Sequence, residues 1–135
     1  MTERSPDSER KNILVVDDSP VPAQIVATVL RNVGYEVSIA HDGQKAWRKV
    51  QEQQFDLVLS DEQMPFMSGS ELCRRLRTDE RYSKIPFVLF TAKRWTTNID
   101  RLAEELDIAA TIYKAFRPTE LADTVKSVLA REAAA

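Results

Sequence analysis

At 135 residues, with 43% hydrophobic and 30% charged positions, the chain has the length and apolar content for one compact domain and no room for a second. Its 19 basic and 21 acidic side chains leave a net charge of −2, without the basic surplus of a nucleic-acid binder, and its one cysteine, Cys73, excludes an internal disulfide. The opening MTERSPDSERK has no apolar stretch to serve as a signal sequence and no later run is long enough to cross a bilayer, so a cytoplasmic location without direct nucleic-acid or membrane contact is expected.

Residues 1–11 are polar and charged and read as a disordered tail ahead of a domain spanning 12–132. The first apolar run, Asn12–Val16, is short and β-branched, reads as a strand, and ends in Asp17-Asp18. Ser19 with Pro20 suits a helix start and Gly34 a helix end, with Ile25, Val26, Val29, Leu30 and Val33 at helical apolar spacing between them. A second strand, Glu36–Ala40, is followed by His41, read as a surface residue away from any site, and by a helix carrying Ala46, Trp47 and Val50.

The third strand, Phe55–Ser60, ends in Asp61, and Ser68-Gly69-Ser70-Glu71 reads as a capping box opening a helix with Leu72, Cys73 and Leu76 inward. Arg74, Arg75, Arg77, Arg81 and Lys84 form a basic run broken by Asp79 and Glu80, which reads as a solvated face. The fourth strand, Pro86–Phe90, ends in Thr91; Arg94 and Trp95 follow, the tryptophan either covering a site or packing on the next helix, which carries Ile99, Leu102, Ala103 and Leu106. The fifth strand, Ala110–Lys114, leads to a helix with Leu121, Ala122, Val125, Val128 and Leu129, and Ala133–Ala135 read as a frayed end.

This strict alternation is a (βα)5 pattern, which implies an α/β domain with a parallel sheet, right-handed crossovers and helices on both faces. In such a sheet the ends of strands one, three, four and five share an edge, where Asp17, Asp18, Asp61, Thr91 and Lys114 are expected to converge. Two carboxylates about 4 Å apart repel by about 4 kcal/mol at an effective dielectric near 20, so three stay ionised together only beside a counter-charge. A hard divalent cation such as Mg2+, which prefers oxygen ligands and keeps several waters, supplies it. Lys114 adds a second positive charge, and the Thr91 hydroxyl offers a donor for a phosphoryl oxygen. Singly these residues are ordinary: an acidic pair after a strand is often a helix cap, and a threonine at a strand end is commonly structural. Their shared edge is what points to a site.

Across roughly residues 11–131 the chain resembles the receiver domains of bacterial two-component response regulators. The resemblance lies in Ile13-Leu14-Val15-Val16-Asp17-Asp18, in Leu57 to Gly69 (LVLSDEQMPFMSG), in Phe90-Thr91-Ala92 and in Lys114-Ala115-Phe116-Arg117-Pro118. It implies a doubly wound five-stranded sheet of flavodoxin-like order 2-1-3-4-5, with Asp61 as phosphoacceptor. It also implies that Asp17, Asp18, Asp61 and the backbone carbonyl of Gln63 hold Mg2+ or Mn2+, while Thr91 and Lys114 contact the phosphoryl group. The implied phosphodonor is a histidine kinase or histidine phosphotransfer protein, and the implied output is a downstream protein target or a phosphorylation-linked dimer. The fourth helix, fifth strand and fifth helix, including Arg101, Tyr113 and Lys126, form the expected output face. Such a domain signals rather than turning over a substrate, although it assists its own phosphorylation and dephosphorylation.

Two positions depart from the receiver pattern. The switch residues of the family are the hydroxyl residue, here Thr91, and an aromatic three positions before the lysine, here Thr111, which cannot fill the same pocket. The proline that commonly follows the lysine through a cis bond is Ala115. A cis bond without proline costs about 2.5–4 kcal/mol, so Lys114–Ala115 is expected to be trans unless the surroundings hold that strain. Phosphorylation with a small or rerouted change in the fourth helix, through Trp95, is therefore expected.

Three rivals share the fold. A Mg2+-dependent phosphohydrolase would place its nucleophile at the end of the first strand, typically with one residue between two aspartates, and would need a substrate-binding cap. A flavin or nucleotide module would carry Gly, Ser or Thr after that strand, where this chain has Asp17, Asp18, Pro20 and Pro22. A degenerate receiver acting only as an interaction module would not need the acidic triad and Lys114.

Overall fold

The computed structural model describes residues 10–92 and 97–134. Strands and helices alternate as β1 (Asn12–Val16), α1 (Pro20–Val33), β2 (Glu36–Ala40), α2 (Gly43–Glu52), β3 (Leu57–Asp61), α3 (Gly69–Arg77), β4 (Phe87–Thr91), α4 (Thr97–Glu105), β5 (Ala110–Tyr113) and α5 (Pro118–Ala134). The strands form one parallel sheet in the order β2-β1-β3-β4-β5. The doubly wound (βα)5 architecture expected from the sequence is the one observed.

Near-continuous apolar strands follow from burial on both faces of a parallel sheet. Along β1, β3 and β4 successive side chains enter opposite cores. Leu14, Val16, Val58, Phe87 and Leu89 pack with Ala46 and Val50 of α2, Leu72, Cys73 and Leu76 of α3, Ile99 of α4 and Leu106 just after it. Ile13, Val15, Leu57, Leu59, Val88, Phe90 and Ile112 pack with Val26 and Leu30 of α1 and with Leu121, Val125, Val128 and Leu129 of α5. Phe55 is buried but stands outside the ladder, because at Asp56 the chain turns to exchange bonds with Asn12, N–H to carbonyl at 2.7 Å and N–H to carboxylate at 2.7 Å. Burial pushes the Cys73 thiol up to about 11, which leaves it a core residue.

The helix-end signals are realised. Pro20 opens α1 after Ser19, Gly34 closes it at φ 112°, and the Ser68–Glu71 capping box is formed in both directions. Residues 1–9 lie outside the described residues, but the Lys11 carbonyl already accepts the Glu36 N–H at 3.0 Å, so the sheet engages the chain before β1. At the other end α5 continues through Ala134.

Two details go beyond the sequence reading. In α1 the buried stripe is Ala23, Val26, Ala27 and Leu30, whereas Ile25 and Val33 are 54% and 48% exposed. Ala23 and Ala27 share the inward face with Val26 and Leu30, so Ile25 and Val33 fall to its outer side. The basic run is not simply a solvated face. Arg74 pairs with Glu105 at 3.0 Å, Arg75 lies over the Trp47 ring at 4.4 Å, and Arg81 binds Asp79 at 2.9 Å. Arg77 goes further: its Nε donates to Leu106 O at 2.8 Å, Nη1 to Ser83 O at 3.1 Å and Ile85 O at 2.8 Å, and Nη2 to Asp107 O at 3.2 Å. These carbonyls belong to the loop before β4 and to the C-terminal turn of α4, where Asp107 takes a left-handed φ of 53° and Ile108 N–H reaches back to Ala103 O at 2.8 Å.

Candidate functional site

Parallel pairing sets the strand ends level with one another. Val16 is opposite Ser60, Asp61 opposite Phe90, and Thr91 opposite Tyr113, so the residue closing or following each strand reaches the same carboxyl edge. There Asp17 is 3% exposed, Asp61 2% and Thr91 0%, polar side chains held in a largely apolar interior together with Ser60 and Ser70. Asp17, Asp18 and Asp61 each direct a carboxylate oxygen to a common point, with all three oxygens within 4.8 Å of one another. The Lys114 ammonium lies 3.1 Å from Asp61 Oδ1 and is only partly exposed.

Burial is the main cause that raises the Asp17 pKa, the Ser19 N–H bond at 3.0 Å opposes it, and the Asp61 charge raises it further, with Lys114 again in opposition. An all-oxygen donor set whose members repel one another suits a hard divalent cation, and these three carboxylates fit Mg2+. Because the folded-state pKa lies above the unfolded one, Asp17 contributes stability below its ordinary value of 3.8 that is lost as pH rises through the folded pKa. Asp17→Asn is therefore expected to stabilise the metal-free chain at neutral pH, on the order of 1 kcal/mol, by removing one charge of the cluster. The gain should vanish below pH 3.8, where Asp17 is protonated in both states. Thermal unfolding at the two pH values measures it, and a lower midpoint for the variant at neutral pH would contradict a cost of burying this charge beside Asp61.

The loop from Asp61 to Gly69 is built to hold this edge. Gln63 N–H donates to Asp61 Oδ1 at 3.3 Å, and the Gln63 side chain crosses to the Thr91 hydroxyl, Nε2 to Oγ1 at 3.3 Å. Glu62 accepts the Ser70 N–H at 2.7 Å and the Ser70 hydroxyl at 2.9 Å, fastening the start of α3 to the end of β3. At Gly69 a Cβ would stand 2.3 Å from the Asp61 carbonyl oxygen, so only glycine allows that approach. Phe66 takes a left-handed φ of 70° and is fully exposed.

The sequence-selected residues Asp17, Asp18, Asp61, Thr91 and Lys114 thus share one edge, and Gln63 joins them. Thr111 is half-buried on β5 opposite Leu89. Among the described residues no peptide bond is cis, so Lys114–Ala115 is trans, and Ala115 instead takes a left-handed φ of 71°. Arg94 and Trp95 lie outside the described residues. His41 is exposed, as read from the sequence, but it is not remote from the edge, since its Nδ1 donates to the Asp17 backbone carbonyl at 3.0 Å. Nothing in the residue pattern announced this contact, which joins two loops that meet only once β1 and β2 have paired, nor the Glu62–Ser70 bonds, which close the β3–α3 connection on itself.

Comparison with known proteins gives consistent matches. The family model of the response regulator receiver domain matches residues 13–126. The DNA-binding response regulator MtrA of Mycolicibacterium smegmatis is 39% identical over 125 residues, 93% of this chain and 53% of MtrA. The phosphate regulon transcriptional regulatory protein PhoB of Pseudomonas aeruginosa is 37% identical over 123 residues, 90% of this chain and 52% of PhoB. The chain thus spans about half the length of these relatives. Among solved structures, the chemotaxis protein CheY4 of Vibrio cholerae superposes with a TM-score of 0.83 at 31% identity, covering 88% of this chain and 98% of CheY4. The receiver domain of the sensor histidine kinase PA1611 from Pseudomonas aeruginosa, solved with a magnesium ion in its active-site cleft, gives 0.81 at 26% identity and covers 90% and 98%.

Proposed function

Because the chain belongs to the response regulator receiver family, the signalling domains of two-component regulation, we propose that it accepts a phosphoryl group on Asp61 from a histidine kinase or histidine phosphotransfer protein. The observation that carries this reading is the convergence of three carboxylate oxygens within 4.8 Å, beside an ammonium 3.1 Å from Asp61.

A carboxylate oxygen of Asp61 attacks phosphorus in line. The new O–P bond forms as the P–N bond to the donor imidazole breaks, and the electron pair returns to the imidazole nitrogen. Asp17, Asp18, Asp61 and the Gln63 backbone carbonyl are the residues that would hold Mg2+, or Mn2+ in its place. When bound, the ion neutralises charge on the phosphoryl oxygens. Lys114, already paired with Asp61, follows that charge as it moves onto the phosphoryl group, and Thr91 supplies a hydroxyl at the neighbouring strand end. The product is an acyl phosphate, which suits a reversible signal rather than substrate turnover. The magnesium named for the PA1611 receiver supports the same choice of ion here.

Output is proposed to pass through the α4–β5–α5 face to a protein target, a second phosphorylated copy or further chain, with the domain itself spanning 12–132. Arg101 and Lys126 are exposed on that face and Tyr113 half-buried, while no helix among the described residues is long and apolar enough to cross a membrane. Incubation with acetyl phosphate tests the reading by intact mass: one phosphoryl group is expected with Mg2+ and none with a chelator. Absence of uptake under both conditions would overturn it.

A further inference from the structure

The side chain of Gln63 is left over from the site as described, since only its backbone is assigned there. It leaves the β3–α3 loop and crosses to the end of β4, where Nε2 lies 3.3 Å from Thr91 Oγ1 and Oγ1 lies 3.5 Å from Oε1. Gln63 is exposed and Thr91 is 0% exposed, so the amide meets the hydroxyl from the solvent side of the crevice. Its own N–H is bound to Asp61 Oδ1 at 3.3 Å, which fixes the base of the side chain beside the carboxylate.

We propose that the Gln63 amide is a resting-state latch on Thr91: it engages the hydroxyl that a phosphoryl group on Asp61 would recruit, and must release it for the site to close on that group. This rests on the phosphoacceptor reading and adds a positioning residue to it. A hydroxyl has one proton and two acceptor lone pairs, and a glutamine amide matches either arrangement. A phosphoryl oxygen is the stronger acceptor for the same proton, because the bond is charge-assisted. Phosphorylation therefore exchanges one partner of Thr91 for another, and the net gain is reduced by the bond given up. A neutral hydrogen bond of ordinary net worth translates into an affinity difference of between about 2-fold and 10-fold.

Beryllofluoride, which mimics the phosphoryl group, measures that difference when titrated calorimetrically into the full chain at an Mg2+ concentration saturating for each variant. Gln63→Leu keeps the size of the side chain and removes the amide, and is expected to bind about 2-fold to 10-fold more tightly than wild type. In a Thr91→Val background, with Thr91→Ala as the alternative should the first not fold, the same Gln63→Leu step is expected to change nothing. A merely structural role would not produce that dependence. Unchanged or weaker binding in Gln63→Leu overturns the latch, as does an equal gain with and without the hydroxyl. Failure of wild type to bind beryllofluoride at all would instead bring down the phosphoacceptor reading, and the latch with it.

Discussion

Asp61→Asn is expected to abolish phosphoryl uptake. The replacement matches the carboxylate in shape but offers a neutral amide in place of the nucleophilic oxygen, so no acyl phosphate can form. It also removes the negative partner of Lys114, 3.1 Å away, and one of the three carboxylates at the cluster. The loss therefore extends to metal affinity, with only Asp17 and Asp18 left. Intact mass after acetyl phosphate and Mg2+ measures the effect directly: wild type should carry one added phosphoryl group, and the variant should show uptake lower by at least about 100-fold. Full labelling in the variant would place the acceptor elsewhere. Asp61 is the residue to test because it ends the central strand β3, where both neighbours, β1 and β4, bring their own polar ends alongside.

Arg77→Ala is expected to cost about 2–4 kcal/mol of unfolding free energy, the largest stability loss from any charged residue described above. Its guanidinium uses three nitrogens to bind four backbone carbonyls in two separate loops, and removing it leaves those acceptors to find water or strain the turns. Arg77→Lys should recover less than half of the loss, since a single ammonium cannot span the same fork. Urea unfolding of the three proteins gives the comparison. A loss below about 1 kcal/mol for Arg77→Ala would show that the carbonyls rehydrate without penalty.

The fold was legible because each strand is an apolar run with a polar residue at its carboxyl end, and parallel topology turns that linear pattern into a shared edge. Asp17, Asp61, Thr91 and Lys114 were readable for this reason alone, whereas the full ligand and switch assignment came with the family resemblance. What stayed hidden depends on side chains meeting across sequence. Ile25 and Val33 lie outward because the buried face of α1 includes Ala23 and Ala27, which carry little weight in an apolar pattern. Arg77 looks like its neighbours Arg74 and Arg75 in sequence, and only the return of the chain at Ser83 and Leu106 distinguishes it. At Ala115 the absence of proline left cis and trans to be weighed, and the trans bond with a left-handed φ of 71° is a backbone solution that no residue type at this position advertises.

The four bonds of Arg77 also decide how α4 can move. With Leu106 and Asp107 held by the guanidinium, the C-terminal end of the helix has a backbone anchor, while toward the Thr97 end the described hold is the packing of Ile99 in the core. Nine residues at about 1.5 Å each make a length of about 13 Å, so a tilt of about 10° about the anchored end carries the Thr97 end through about 2 Å. A push from the Thr91 side would meet this helix far from its backbone anchor, and would favour rotation about the Arg77 end over sliding along the sheet.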